Sequence, residues 1–172
     1  MHKRDEALAM LKQANDAFAR MASPDSGQVV ALAGLSETEL DGGDVAAARA
    51  SAESSLALAR RTLPAGHFLI ATPLFALARA NLAERRAADA EPLLREALSL
   101  RSRIEPAADP RVLEVEVALV DALAGQGRAT AARALRAEIE RPLRASKSPY
   151  AVELRARLAL AASPPAGRVS AR

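Results

Sequence analysis

Three stretches of this chain superimpose on one another without a gap at a spacing of 42 residues, and that periodicity restricts the fold more than any other feature. The first, DSGQVVALAGLSETELDGGDVAAARASAESSL, runs from Asp25; the second, HFLIATPLFALARANLAERRAADAEPLLREAL, from His67; the third, DPRVLEVEVALVDALAGQGRATAARALRAEIE, from Asp109. Leu35, Leu77 and Leu119 align, followed by Gly43, Arg85 and Gly127, then Ala48, Ala90 and Ala132. A period of roughly 20–50 residues marks an array of supersecondary units, each burying its apolar face only against its neighbours.

Each unit reads as two helices. In the third, Asp109-Pro110 supplies an N-cap and a proline at the first helical position. Val112, Val115, Leu119 and Ala122-Leu123 then recur at helical spacing until Gly125 and Gly127 end the run. Ala132, Leu135 and Ile139 share one face of the helix that follows. In the first unit, Asp25 and Gln28 read as a capping box and Gly42-Gly43 as the turn. Composition agrees: half of the chain is apolar, aromatics amount to 2%, and alanine and leucine dominate. Alanine and leucine are strong helix formers, whereas the β-branched and aromatic residues that strands prefer are scarce. The spacing predicts helices over 4–21, 26–41, 44–61, 68–84, 87–103, 110–124, 128–144 and 149–162. It also predicts that Ala48, Ala90 and Ala132 lie buried where paired helices cross most closely. Pro73 falls inside the fourth of these helices, so that helix must start late, with Thr72 as its cap, or kink.

The string RRAADAEPLLREALSLR over 85–101, with Ala90 and Ala97 flanking Leu94, resembles the second helix of tetratricopeptide repeats, in particular the 42-residue variety of kinesin light chains and many bacterial proteins. His67 stands where that family often opens its first helix with His-Pro, here followed by Phe68 instead of proline. The resemblance covers about residues 25–145. It implies an all-α fold, a right-handed α-solenoid of about seven to eight helices in antiparallel pairs. It further implies a protein–protein interaction scaffold, such as the regulatory or C-terminal arm of a bacterial serine/threonine kinase or other multidomain regulator.

One repeat domain is expected over 1–162: a half repeat at 4–21, repeats at 25–66, 67–108 and 109–147, a terminal helix at 149–162, then a disordered tail at 163–172. Ala7, Leu11 and Ala14 reproduce the spacing of Ala90, Leu94 and Ala97, so 4–21 reads as a second helix without its first. That points either to a piece of a longer chain or to a dedicated cap. In the former case the face of Ala7, Met10, Leu11, Ala14 and Phe18 lacks a neighbour and favours self-association.

The chain contains no cysteine, which excludes disulfides, thiolate metal sites and cysteine nucleophiles and suits a cytoplasmic location. Between Arg61 and Arg79 no charged side chain occurs, yet Pro64, Gly66 and Pro73 make this a loop and a buried helix rather than a membrane span. His67 reads as a structural residue of a loop–helix junction, and Gly125-Gln126-Gly127 as a turn. Glu114 and Glu116, like Glu37, Glu39 and Asp41, read as solvated helix faces. No catalytic, cofactor-binding or metal-binding set is expected. Residues 141–172 carry Arg141, Arg144, Lys147, Arg155, Arg157, Arg168 and Arg172 against Glu153, which leaves the rest of the chain acidic in sum. That basic segment is the one argument for an alternative reading, a nucleic-acid-associated helical module.

In the family, the first helix of each pair lines a concave groove. Carried over, the inward residues are Val30, Ala33, Glu37 and Asp41, then Thr72, Phe75, Arg79 and Ala83, then Glu114, Val117, Asp121 and Gly125. The 42-residue offset would stack Glu37, Arg79 and Asp121 in a row, with Phe75 one turn before Arg79. Such a groove favours a helical or basic segment of a partner protein, or Arg79 serves only to neutralise its acidic neighbours. Where family members that clamp extended peptides place asparagine, this chain has Gly34, Ala76 and Ala118, which suits a closely packed partner helix or an occluded groove.

Overall fold

The structure, a computed structural model, describes residues 2–20, 26–145 and 149–160. Among them are eight α-helices and no strand: α1 (His2–Ala19), α2 (Ser26–Asp41), α3 (Val45–Thr62), α4 (Ala71–Ala83), α5 (Ala87–Arg101), α6 (Pro110–Gly125), α7 (Ala129–Ala145) and α8 (Pro149–Leu160). A 3-10 turn, Phe68–Ile70, precedes α4. Each helix packs on the next in sequence. In addition α2 touches α4, α4 touches α6 and α6 touches α8, while the second helices of successive pairs make no comparable contact. The first helices therefore form the inner layer of a curved α-solenoid. The expected cap Asp25 and the 163–172 tail lie outside the described residues.

The turn inside each pair recurs in atomic detail. Gly43, Arg85 and Gly127 adopt left-handed φ values of 84, 60 and 74°. The amides after them, on Asp44, Arg86 and Arg128, donate back to the carbonyls of Glu39, Asn81 and Leu123 at 3.0, 2.8 and 2.9 Å. This six-to-one bond is the Schellman closure of a helix C-terminus. The unit starts repeat as well. Asp109 accepts from the Arg111 amide at 2.9 Å, and His67, 42 residues earlier, uses Nδ1 to accept from the Leu69 amide at 3.2 Å. His67 is thus a capping residue stacked on Phe68.

Pro73 delays its helix, but by a different route from the one expected. Ile70, not Thr72, is the cap residue, and Pro73 is the third residue of α4. At that position the missing N–H has no helical acceptor to lose. The 3-10 turn fills the gap between the His67 cap and the late start. Beyond Pro73, α4 is buried almost all round. Among the described residues no helix is long and apolar enough to cross a membrane.

Packing follows the small residues. Ala48, Ala90 and Ala132 are buried, as are Leu35, Leu77 and Leu119. Gly34 admits Leu11 of α1, whose Cδ2 lies 3.3 Å from where a Cβ on Gly34 would stand. That contact covers part of the face expected to stand open on α1. Ala7, Leu11, Ala14 and Phe18 are half-buried, and α1 packs on α2, leaving Met10 as the exposed member of the set.

Polar ties join successive units at equivalent places. Arg49 of α3 meets Glu84 at 2.7 Å. In the next unit the same two positions are Glu91 and Gln126, joined by a 2.8 Å bond from the Gln126 amide. Arg128 adds an ion pair to Glu91 at 2.7 Å. The bond from Gln126, then that from Arg95, hold the Glu91 carboxyl far below its ordinary value of 4.5, at about 2, against the opposing effect of burial.

Two outcomes follow. Arg85 is the one non-glycine residue with positive φ among the described residues. Arg85→Gly relieves that strain and raises stability by about 0.5–1 kcal/mol after glycine's own entropic cost, seen in calorimetry as a gain of roughly 1–4 °C in Tm. Because its folded-state pKa is depressed, Glu91 stabilises the fold above pH 4.5 and loses that contribution as pH falls towards about 2. Glu91→Gln lowers stability at neutral pH and flattens the acid limb over that window in urea titrations at stepped pH.

Candidate interaction surface

The inner layer presents four rows of equivalent residues, one from each of α2, α4 and α6. Val30 is exposed, and its counterparts Thr72 and Glu114 are half-buried. Glu37, Arg79 and Asp121 are all half-buried; Asp41, Ala83 and Gly125 are all exposed. The remaining row corrects the sequence expectation. Ala33, Phe75 and Val117 are fully buried, so neither Phe75 nor Val117 offers itself to a partner. Helical geometry supplies the reason. At about 100° per residue, positions 37 and 41 each point within about 20° of position 30, on either side of it, whereas 33 is turned about 60° from 30, into the helix interface. Ala76 and Ala118 are buried too, so the positions used elsewhere for peptide clamping are closed here.

Electrostatics on this face differ from a simple stacked row. Arg79 Nη2 pairs with Asp41 Oδ1 at 3.4 Å, one turn along from Glu37. Asp121 is met instead by Arg157 of α8, at 3.7 Å. Burial pushes the Glu37 carboxyl up; the charge of Arg79 opposes this, while Glu114 and Asp41 add to it and Arg101 opposes again. Burial likewise raises Asp121, against the pull of Arg157. The face thus carries carboxylates whose ionised form is under-compensated, a condition that a cation from a partner would relieve.

Phe75 is the hinge of this arrangement although it is hidden. The guanidinium of Arg79 stands 6.0 Å from its ring centroid and that of Arg101 5.9 Å. Sequence reasoning missed Arg101, and counted Arg157 with the basic C-terminal segment instead of placing it on this face. Arg101 was detectable: it occupies the register position of Ala59 and Leu143, both fully buried. Arg157 was not, since α8 lies beyond the last complete repeat.

Of the C-terminal basic residues that are described, Arg144, Arg155 and Arg157 are engaged within the fold, whereas Arg141 is exposed. Arg144 pairs with Glu140 at 2.6 Å, Arg155 donates to the Leu143 carbonyl at 3.1 Å, and Arg157 is held by Asp121. Among the described residues no group of histidine, aspartate and glutamate could hold a metal ion. Replacing Arg79 with methionine should raise the Glu37 carboxyl further, because the largest opposing charge is gone. A carbon-detected NMR titration reads this directly; an unmoved Glu37 midpoint would show that Arg79 does not govern the face.

No protein-family profile matches the chain, and no curated protein matches it. Solved structures do. A Podosopora anserina protein assigned as a kinesin light chain, with nearly identical TPR-like repeats, superimposes with a TM-score of 0.72 at 21% identity, covering 93% of this chain and 78% of that one. A singly substituted form of that protein gives a TM-score of 0.74 at 20% identity, over 93% of this chain and 77% of that one. At such identities the likeness concerns the fold: the chain folds as a TPR-like α-solenoid.

Proposed function

We propose that residues 1–162 form one repeat domain acting as a non-catalytic protein–protein interaction scaffold, the regulatory or C-terminal arm of a larger bacterial protein such as a serine/threonine kinase or a multidomain regulator, in the cytoplasm. The observation that supports it best is the inner face itself. Glu37, Asp41 and Glu114 gather there about Arg79 and Asp121 stands beside Arg157, with Val30 and Thr72 as an apolar and a hydroxyl contact. A partner helix with basic residues on one side matches that face in shape and sign. An electrostatically complementary groove contributes mainly to the rate and selectivity of association.

Fluorescence anisotropy with labelled synthetic helices tests the proposal. A Lys/Leu amphipathic helix should bind, a Glu/Leu helix of equal length should not, and Asp41→Lys with Asp121→Lys should abolish the difference. A labelled single strand of about 20 nucleotides, longer than the usual site of a single-strand-binding fold, serves as the competing probe. Binding of that strand, steep in salt and untouched by the two reversals, would replace the scaffold reading with nucleic-acid association through the basic segment.

A further inference from the structure

The second helices of the array carry an apolar stripe that changes character at α7. Ala52 of α3 and Leu94 of α5 are fully buried, and 42 residues further on the same register holds Arg136, half-buried. One turn along, Leu56 is buried and Leu98 packs against the core, whereas the third member of that row is Glu140. Charge thus stands at two positions that the earlier units give to the core. These charges do not lie on an outer face. Arg136, Glu140, Leu143 and Arg144 of α7, with Arg155 and Leu158 of α8, line one cleft of about 180 Å³ between the two helices. A local rule broken inside an otherwise consistent fold is where a function is to be looked for.

The cleft holds three guanidinium groups against one carboxylate. Glu140 uses both oxygens on two of them, accepting from Arg136 Nε at 3.1 Å and from Arg144 Nη2 at 2.6 Å. The bond from Arg136 foremost, then the charge of Arg144, holds its carboxyl below the ordinary 4.5 against the effect of burial. Arg155 gives Nη1 to the Leu143 carbonyl at 3.1 Å. A guanidinium carries five N–H donors, so most of the donors here are unused. They belong to side chains that solvent reaches: Arg136 and Arg155 are half-buried and Arg144 is exposed. Glu138, the other acid of α7, lies about 200° round the helix from Glu140, where it acts on Glu116.

An excess of two positive charges, with many donors open, discriminates among ligand groups. An ammonium is repelled. A neutral amide offers one acceptor and no charge, and a carboxylate two acceptors and one charge. A phosphate monoester brings three terminal oxygens and a charge of about −1.5 to −2 at neutral pH, which matches the excess. We propose that the cleft between α7 and α8 binds a dianionic phosphate group, either the phosphorylated side chain of a partner polypeptide or free phosphate, with Arg136, Arg144 and Arg155 as its donors. Planar guanidinium forks suit such an anion. A nucleic-acid strand matches less well, because each of its diesters carries a single charge. The site is separate from the acidic inner face, so either can fail without the other.

The full chain, labelled with nitrogen-15, is titrated with blocked Ac-Ala-pSer-Ala-NHMe, with its serine and glutamate counterparts, and with inorganic phosphate. A single strand of about 20 nucleotides without terminal phosphates is the fifth probe. The phosphoserine peptide should shift the Nε–H signals of Arg136 and Arg155 saturably, about tenfold more tightly than the glutamate peptide, and the serine peptide should leave them unmoved. Tighter binding of the phosphopeptide than of inorganic phosphate assigns the group to a polypeptide; equal binding assigns it to free phosphate. Arg136→Leu installs the residue that α5 carries at this register, so it should keep the Tm and weaken the phosphopeptide about tenfold. Glu140→Gln removes the competing carboxylate and should tighten binding about tenfold, a direction that a merely structural ion pair does not give. No response at either arginine, equal binding of the glutamate and phosphoserine peptides, undiminished binding by Arg136→Leu, or weaker binding by Glu140→Gln would each overturn the proposal. Tighter binding of the single strand than of the phosphopeptide would overturn it in favour of nucleic acid.

Discussion

The array depends on how near two helices can come when the side chain between them is a single methyl group. Ala48, Ala90 and Ala132 are buried in each unit, and at Gly34 the missing side chain lets Leu11 drop onto the backbone of α2. Close approach lets modest side chains fill the interior without aromatic bulk, at the density that protein cores require. It also leaves little tolerance. A solenoid built this way is held by many equivalent contacts of small area, and each unit is stabilised by the one before and after it.

Most of the helical framework was legible because its signals are local and repeated. The left-handed residue at Gly43 and Gly127 could be read from glycine alone, and Arg85 could be placed there only because the 42-residue register demanded it. Asp109-Pro110 marked its helix start to the residue. The start of α4 was harder, since the 3-10 turn reflects a compromise between the His67 cap and Pro73 that no single position announces.

The inner face was legible in its rows but not in their depth. Periodicity identified that Val30, Glu37 and Asp41 share a side, and placed Ala33, Phe75 and Val117 with them; it could not show that a turn of about 60° is enough to submerge that row. Charge partners were less accessible still. Arg79 looked equidistant from Glu37 and Asp121, but Asp41 takes the ion pair and Asp121 belongs to Arg157. Such choices are decided by side-chain reach across neighbouring helices, which a one-dimensional alignment does not contain.

The contrast between touching first helices and separated second helices has a mechanical meaning. A strip bonded along one edge and open along the other bends more readily than it stretches. Flexing the array towards a tighter arc compresses the contacts of α2 with α4 and of α4 with α6, while loosening it opens them. Glu37, Asp41 and Glu114 lie on that compressed edge and repel one another, with Arg79 among them as the opposing charge, so the balance of charge at the inner edge bears on curvature along the whole molecule.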